Sequence, residues 1–260
     1  MQSRKMTDRA HQHPPTLPHK LYKFRKVETD QDFDRLRSIL EKNELYSSSP
    51  VNFNDPFDCR VPPNGRIDPG FARYLICPGN PSTATGRLSQ KEKAQLEQVF
   101  QDAQGRIDAG GVLPLGAARA SMLMWSHYTC DHRGVALEFD TAGWLEHMPC
   151  MIGQFHPVLY SKLRVRLNVT RAHYDQAQFF NAIMLTKDIC WKSENEWRVI
   201  TKTPGPLTFP ACALTGLIIG CRASAETKAK VKSICDGLPG IMLYQAEMKE
   251  KTFGLNFKPC

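Results

Sequence analysis

The stretch LYKFRKVETDQDFDRLRSILEKNELYSS, residues 21–48, decides the fold class. Its first five residues, 21–25, are typical of a short strand. A helix follows with Thr29 or Asp30 as its N-cap, and its apolar residues recur at helical spacing, which predicts one buried face. A turn then leads into a second strand at 45–48. The stretch is therefore a strand, helix and strand unit of about thirty residues.

Further elements follow in an irregular order. Because strands and helices do not alternate regularly, we exclude a parallel Rossmann sheet. We predict an α+β fold with a mixed, mostly antiparallel sheet and flanking helices. The remaining predicted strands cover residues 134–140, 157–162, 196–202, 207–209, 216–220 and 240–245, and two further helices cover 172–187 and 224–235.

The chain divides into a tail and a domain. Residues 1–20 are basic and contain three prolines, without the apolar segment of a secretory signal, so we expect a disordered tail. A single domain, 21–260, has an ordinary length for one core. Within it, 61–120 is rich in Pro, Gly, Ser and Gln apart from an amphipathic helix near 91–102, and we interpret it as a variable insertion or lid.

Composition limits the class of protein. Hydrophobic residues make up 42% of the chain, as in water-soluble globular proteins, and no apolar run reaches the roughly 18 residues of a membrane span. The nine cysteines are odd in number and scattered, which favours reduced thiols and a cytoplasmic location. No membrane partner is expected.

The formal charge of +8 suits a polyanionic partner, although the basic residues are spread along the chain. The partner class, protein or nucleic acid, stays open. For metals, the nearest approach to a ligand set is His127, Cys130 and His132, without a second Cys-x-x-Cys pair. We therefore expect no metal, and keep metal-assisted hydrolysis through His127, His132 and the carboxylates as a further hypothesis, which predicts bound metal.

One polar run, SSSPVNFNDPFD at 47–58, must form a structured turn. Asn54 and Asp55 precede Pro56, and such residues favour tight turns in which the side chain bonds to the local backbone. One interpretation is a rigid loop that ends a strand. The alternative is a loop that faces a ligand, because rigid polar loops are also how sites are positioned.

The motifs MWSHY at 124–128 and DHRG at 131–134 place two aromatic residues, two imidazoles, an acid and a guanidinium just before a strand. His127 can transfer protons near neutral pH, and Arg133 can bind a phosphate bidentately. A histidine in such a loop is more often a hydrogen-bonded structural residue. In the following strand, alternation places Glu138 on the face opposite Val135 and Leu137.

The motif ENEWR at 194–198 enters a strand. If it is extended, Glu194, Glu196 and Arg198 lie on one face. Paired carboxylates beside an arginine can form a catalytic face, in which one carboxyl group has a raised pKa. The alternative is a salt bridge at the strand edge to Arg198. We predict that four segments meet in one site: 22–25, 45–58, 125–140 and 191–198.

Taken together, the motifs LYKFR, SSP with NFNDPFD, MWSHY with HRGV, and EWR resemble an uncharacterised bacterial family with a domain of unknown function. The resemblance runs from about residue 21 to 244. One departure lies at 113–116, where that family carries a Cys-Phe-Ser-like strand end.

The layout more distantly resembles ADP-ribosyltransferases, which place an Arg on the first strand, a Ser-rich second strand and Glu-x-Glu on a late strand. The resemblance implies a split sheet and NAD as substrate, in a bacterial toxin or defence factor. Glu196 would be catalytic, with Glu194 and His127 beside it. The resemblance further implies an NAD site formed by Arg25 or Arg133 on phosphate, Ser47 or Ser48 on ribose, Asn54, and stacking by Tyr46, Trp125 or Tyr128.

A different class of function remains open. The same aromatic and basic loops could form a non-enzymatic module that binds nucleic acid or protein. Such a module would bind its partner with steep salt dependence and would be indifferent to NAD.

Overall fold

The computed structural model describes residues 16–62, 69–78, 86–147, 155–165, 176–238 and 240–260. The strands are β1 (Lys20–Arg25), β2 (Glu44–Ser47), β3 (Gly111–Gly116), β4 (Val135–Asp140), β5 (Phe155–Pro157), β6 (Leu159–Ser161), β7 (Thr186–Asp188), β8 (Glu196–Thr201), β9 (Gly205–Thr208), β10 (Leu214–Ile219), β11 (Met242–Met248) and β12 (Leu255–Pro259). The α-helices are α1 (Asp30–Lys42), α2 (Pro69–Ile76), α3 (Gln90–Asp108), α4 (Met122–Tyr128), α5 (Thr141–His147), α6 (Gln176–Met184) and α7 (Ala225–Cys235).

Eight strands form the main sheet, in the order β12-β11-β10-β4-β1-β3-β8-β5. Its strands pair antiparallel except β10 with β11, which pair parallel. Two smaller sheets pair β2 with β9 and β6 with β7. The predicted α+β fold with a mixed, mostly antiparallel sheet is confirmed.

The first unit forms from local signals. Thr29 caps α1 and exchanges hydrogen bonds with Asp32 in a capping box, which satisfies backbone N–H groups that the first helical turn leaves free. Asn43, in the left-handed conformation at φ 53°, ends the helix and turns the chain into β2. The apolar face of α1 then packs into the largest core cluster, next to Leu21 of β1.

The main sheet opens between β1 and β3. These neighbours pair only at Tyr22 and Gly116, so the two strands separate beyond that point. The chain after β2 fills the other end of the gap, because Ser48 forms a two-way backbone bridge with Val112, at 2.9 and 3.0 Å. The result is a slot along one edge of β3, with β1 at one end of the slot and the chain after β2 at the other.

The prediction that residues 61–120 form an insertion is wrong in part, because residues 111–116 form β3, a central strand of the main sheet. Its glycines and its proline weakened the strand signal in the sequence. The contacts of Gly111 and Pro114 explain why these residue types occur there. A Cβ on Gly111 would lie 2.2 Å from Thr201 Oγ1 and 2.6 Å from Ser47 Oγ. The carbonyl of Pro114 accepts from Lys23 Nζ at 2.9 Å across the slot, and its missing N–H points the same way, where no strand pairs.

Other predictions differ in detail. Residues 124–128, predicted as part of a loop, lie in α4, which Ser121 caps through its hydroxyl. Glu194 is not in an extended strand: it ends a 3-10 helix, and Asn195, at φ 45°, turns the chain into β8. Most of the predicted tail, the start of the predicted helix 172–187 and part of 61–120 lie outside the described residues. Within the described part, no helix combines the length and apolarity needed to cross a bilayer.

The two faces of the main sheet carry different residues. Leu21 of β1 and Trp197 and Val199 of β8 all belong to the largest core cluster, so they mark one face. By strand alternation, Lys23 and Arg25 project on that face, whereas Glu196 and Arg198 project on the other. Arg25 and Glu196 therefore lie on opposite faces of the sheet.

Candidate functional site

A cavity of about 400 Å³ lies at the slot between β1 and β3. It draws residues from all four of the predicted segments. We call it the acidic cleft, because three carboxylates and two lysines line it. Among its lining residues are Tyr22, Lys23, Phe24, Ser48, Phe53, Asn54, Asp58, His127, Tyr128, Lys187, Glu194 and Glu196.

An ion-pair network centred on the fully buried Arg198 adjoins the acidic cleft, because its partners Asp58 and Glu196 line that cleft. The guanidinium donates to both oxygens of Asp58, at 2.6 and 2.9 Å, and to Glu196 Oε1 at 2.7 Å. It also donates to the Met184 carbonyl at 2.6 Å. Two separated motifs, NDPFD and EWR, thus meet through one buried ion-pair network, which fixes the loop after β2 against β8.

Lys187 links this network to Glu194. Its ammonium group lies 2.5 Å from Glu194 Oε2, 3.0 Å from Glu196 Oε2 and 3.6 Å from Asp58 Oδ2. The Tyr128 hydroxyl donates to the other oxygen of Glu194 at 2.6 Å. Three carboxylates therefore share two cations, Lys187 and Arg198, and this inner cluster carries one excess negative charge.

The two glutamates differ electrostatically. Burial would raise the pKa of Glu196, but Arg198 and Lys187 outweigh it and lower the pKa to about 2. For Glu194, burial is the largest influence, and it raises the pKa despite Lys187 and Tyr128. Glu196 accepts three side-chain hydrogen bonds and Glu194 two, so Glu194 keeps more acceptor capacity for a ligand.

The loop after β2 is rigid for local reasons. Ser49 caps a short 3-10 helix, Pro50–Asn52, and donates to the Asp108 carbonyl at 2.7 Å. Asp55 accepts from the Phe57 N–H at 2.9 Å, which is the predicted turn geometry. These contacts agree with the interpretation of a rigid loop, and Asp58 fixes it against β8 through Arg198. Asn54 lines the acidic cleft, and the ligand-facing interpretation stays a prediction.

Helix α4 separates residues that look equivalent in the sequence. Trp125 is fully buried, its indole N–H donates to the Arg119 carbonyl at 2.7 Å, and its ring contacts Phe24 edge to face. It cannot stack on a ligand, so its predicted role is corrected to packing. His127 and Tyr128, on the same helix, line the acidic cleft.

The turn after α4 is strained. Cys130, Asp131 and His132 all adopt positive φ, at 49°, 56° and 68°, which is uncommon for residues other than glycine. His132 stacks on Trp125, and its buried Nδ1 has no hydrogen-bond partner among the described residues. Arg133 does not line the acidic cleft and forms ion pairs with Glu28 and Asp131, so its predicted position at the site is corrected.

A second cavity, of about 600 Å³, lies beside the slot and shares Lys23 and Ser48 with the acidic cleft. Residues of α1, β1 and β2 line it. We call it the basic pocket, because three cations and one carboxylate line it. Among its lining residues are Lys23, Arg25, Arg35, Ser38, Glu44, Tyr46 and Ser48.

The predicted site residues therefore separate into groups. Glu194, Glu196, His127, Ser48, Asn54 and Tyr128 line the acidic cleft, and Arg25 and Tyr46 line the basic pocket. Ser47 lines neither, since it is buried and pairs with the Thr201 hydroxyl at 2.9 Å.

Sequence reasoning missed Lys187 and did not single out Lys23. Burial is the main cause that lowers the pKa of Lys23, to about 8, and the charge of Arg25 adds to it. Lys187 follows an apolar helix and belongs to a three-residue strand, so the only signal was one lysine inside a largely apolar stretch.

The described part of the chain contains no group of three His, Cys, Asp or Glu side chains that could hold a metal ion. The eight cysteines there are free thiols, spread through the fold.

One comparison with known protein families matches part of the chain. Residues 124–199 match the family described as "Protein of unknown function (DUF2971)". The matched segment begins in α4 and ends in β8, so it contains both MWSHY and EWR. The predicted resemblance to a family of unknown function is confirmed over this segment. No curated protein and no solved structure matches the chain.

Proposed function

We propose that the acidic cleft binds NAD and that the protein transfers ADP-ribose, with nicotinamide as the leaving group. The observation that carries the proposal is that two buried glutamates, Glu194 and Glu196, line one cleft at the slot between β1 and β3. Breaking the bond between nicotinamide and ribose develops positive charge on the ribose. Ionised carboxylates held in a desolvated cleft stabilise such charge far better than they would in water.

Glu194, rather than Glu196, is the group we assign to the ribose. Glu196 is held by Arg198 and Lys187, and its low pKa keeps it ionised as a fixed negative charge. Glu194 has spare acceptor capacity, and the Tyr128 hydroxyl orients it. It would accept a hydrogen bond from a ribose hydroxyl, and Ser48, at the slot, would hold the other side of the sugar.

Other lining residues suit the rest of the nicotinamide riboside. Phe24, Phe53 and Tyr128 provide apolar and aromatic walls for a planar ring. His127 can accept or donate a proton when the acceptor group attacks. The cavity volume of about 400 Å³ is near the lower end for small-molecule sites, which fits the nicotinamide riboside part of NAD rather than the whole molecule.

Release of nicotinamide from NAD, measured by chromatography, tests the proposal, with hydrolysis by water as the basal reaction. We expect Glu194→Gln to lower the rate about 100- to 1,000-fold, because the charge facing the ribose is lost. The matched control is Glu97→Gln, on the exposed side of α3, which should react as the wild type does. Circular dichroism checks the fold of each variant. A wild type that neither binds nor consumes NAD, or a fully active Glu194→Gln, would sink the proposal.

One observation favours the alternative of a non-enzymatic nucleic-acid-binding module. Phe57 is 66% exposed on the rigid loop after β2, and the Arg164 guanidinium lies 5.7 Å from its ring centre. Lys162 and Trp191 line the same surface cavity. Exposed rings beside cations are how single strands are bound without sequence preference. Fluorescence anisotropy with a single-stranded oligonucleotide would then show strong salt dependence, weaker binding by Phe57→Ala and no effect of NAD.

A further inference from the structure

The basic pocket has an unbalanced charge. Lys23, Arg25 and Arg35 line it against a single carboxylate, Glu44. Arg25 and Arg35 line the pocket together. Burial first, and then the charge of Arg35, lower the pKa of Arg25, and Asp32 opposes them. A folded protein normally pairs or separates such groups, because an unpaired charge removed from water is costly.

Arg25 makes no direct polar contact within the part of the chain that the structure describes. Among the described residues, no hydrogen bond or ion pair reaches its guanidinium, although the side chain is half-buried. Asp32, the acid whose charge acts on Arg25, is already engaged. Asp32 accepts from the N–H groups of Glu28 and Thr29 and from the Thr29 hydroxyl, at 3.0 to 3.3 Å, and it only touches Arg35 at 4.0 Å.

The pocket also contains three hydroxyl groups that can donate hydrogen bonds. The side-chain hydroxyls of Ser38, Tyr46 and Ser48 also line the basic pocket, and none of them is hydrogen-bonded within the described ranges. Guanidinium groups match phosphate oxygens in planar, two-point hydrogen bonds, and an ammonium group adds a point charge. Three cations and several hydroxyls suit a ligand with multiple negative charges better than they suit a single carboxylate.

We propose that the basic pocket binds a phosphate or diphosphate group between Arg25, Arg35 and Lys23. The ligand enters on the face of the sheet opposite Glu196, so the site is separate from the acidic cleft and meets it only at Lys23 and Ser48. This inference does not depend on turnover of NAD, because it is tested with inorganic pyrophosphate, which has no glycosidic bond to break.

Isothermal titration calorimetry with inorganic pyrophosphate tests the site. We expect Arg35→Glu to weaken binding at least tenfold, because it reverses a charge of the pocket and gives Arg25 an internal partner. The matched control is Arg37→Glu, on the same helix and with the same change of charge, which lies outside the pocket and should bind within about twofold of the wild type. Arg35 and Arg37 are both exposed, so neither change threatens the fold.

A second variant, Arg25→Gln, removes the unpartnered guanidinium itself and should also weaken binding at least tenfold. Titrations with inorganic phosphate and with ADP-ribose identify the source of the group. If ADP-ribose binds more tightly than inorganic pyrophosphate, the site is assigned to a nucleotide. If the two ligands bind with equal affinity, the site is assigned to free diphosphate. Either result supports the site. A wild type that does not bind pyrophosphate, or equal losses in Arg35→Glu and Arg37→Glu, would overturn it.

Discussion

The acidic cleft and the basic pocket meet at one slot, yet the protein treats their charges in opposite ways. In the acidic cleft, Asp58, Glu194 and Glu196 are held by Arg198 and Lys187 at short distances. In the basic pocket, Arg25 has no partner within the described residues. The charges of the acidic cleft are paired with one another within the fold, whereas Arg25 of the basic pocket is available to bind an anion. The contrast implies that removing a charge affects stability in one region and ligand binding in the other.

The largest expected effect compares two arginines. Arg198→Met should lower the free energy of unfolding by about 3–5 kcal/mol, because it leaves Asp58 and Glu196 buried without their partner. Arg25→Met removes a charge that has no partner, and should change stability by less than about 0.5 kcal/mol or raise it. Urea unfolding followed by circular dichroism measures both. Similar losses in the two variants would show that Arg25 has a structural role and would break the comparison.

The ion-pair network of Arg198 also shows what the sequence could not reveal. The unit 21–48 was predictable, because its cap, apolar spacing and turn are all local to α1 and its neighbours. Arg198 donates a hydrogen bond to Asp58, which lies 140 positions away in the chain, so no local sequence pattern indicates this pair. The motif residues were visible, whereas their partners were fixed only by the way in which distant segments pack.

A second pair of variants sharpens the comparison with a smaller change. Tyr128→Phe removes the hydrogen bond to the buried Glu194 carboxylate, and should cost about 1.5–3 kcal/mol, the usual range for a bond to a charged group. Tyr46→Phe, in the basic pocket, removes a hydroxyl from a side chain that is 57% exposed, and should stay within about 0.5 kcal/mol of the wild type. Thermal unfolding compares the two. An equal cost would mean that Tyr46 bonds to a structural group.

Strand register explains why the two regions were predicted as one site. Alternation within a strand correctly places Glu196 and Arg198 on one face of β8, but it cannot relate that face to the face of β1. The relation follows from the pairing of β3 with both strands, and β3 was hidden by Gly111, Pro114 and Gly116. Residues that suit a slot, with close contacts and an unpaired edge, are the same residues that weaken a strand signal.

The smallest effect concerns Lys23, which lines both regions. Its pKa of about 8 means that it carries a charge below that pH and becomes neutral above it. A bound diphosphate favours the charged form. The affinity of wild type for pyrophosphate should therefore exceed that of Lys23→Met by roughly tenfold at pH 7, a difference of about 1.4 kcal/mol. The ratio should fall as the pH rises from about 8.

The ratio of the two affinities is the useful quantity, because the ionisation of pyrophosphate is common to both proteins and cancels. Calorimetric titrations at several pH values between 6 and 10 would measure this ratio and its change with the protonation of Lys23. If the ratio stays constant over that range, Lys23 does not face the anion, and its low pKa reflects burial beside Arg25 alone. A falling ratio joins the basic pocket to the slot, since Lys23 also lines the acidic cleft.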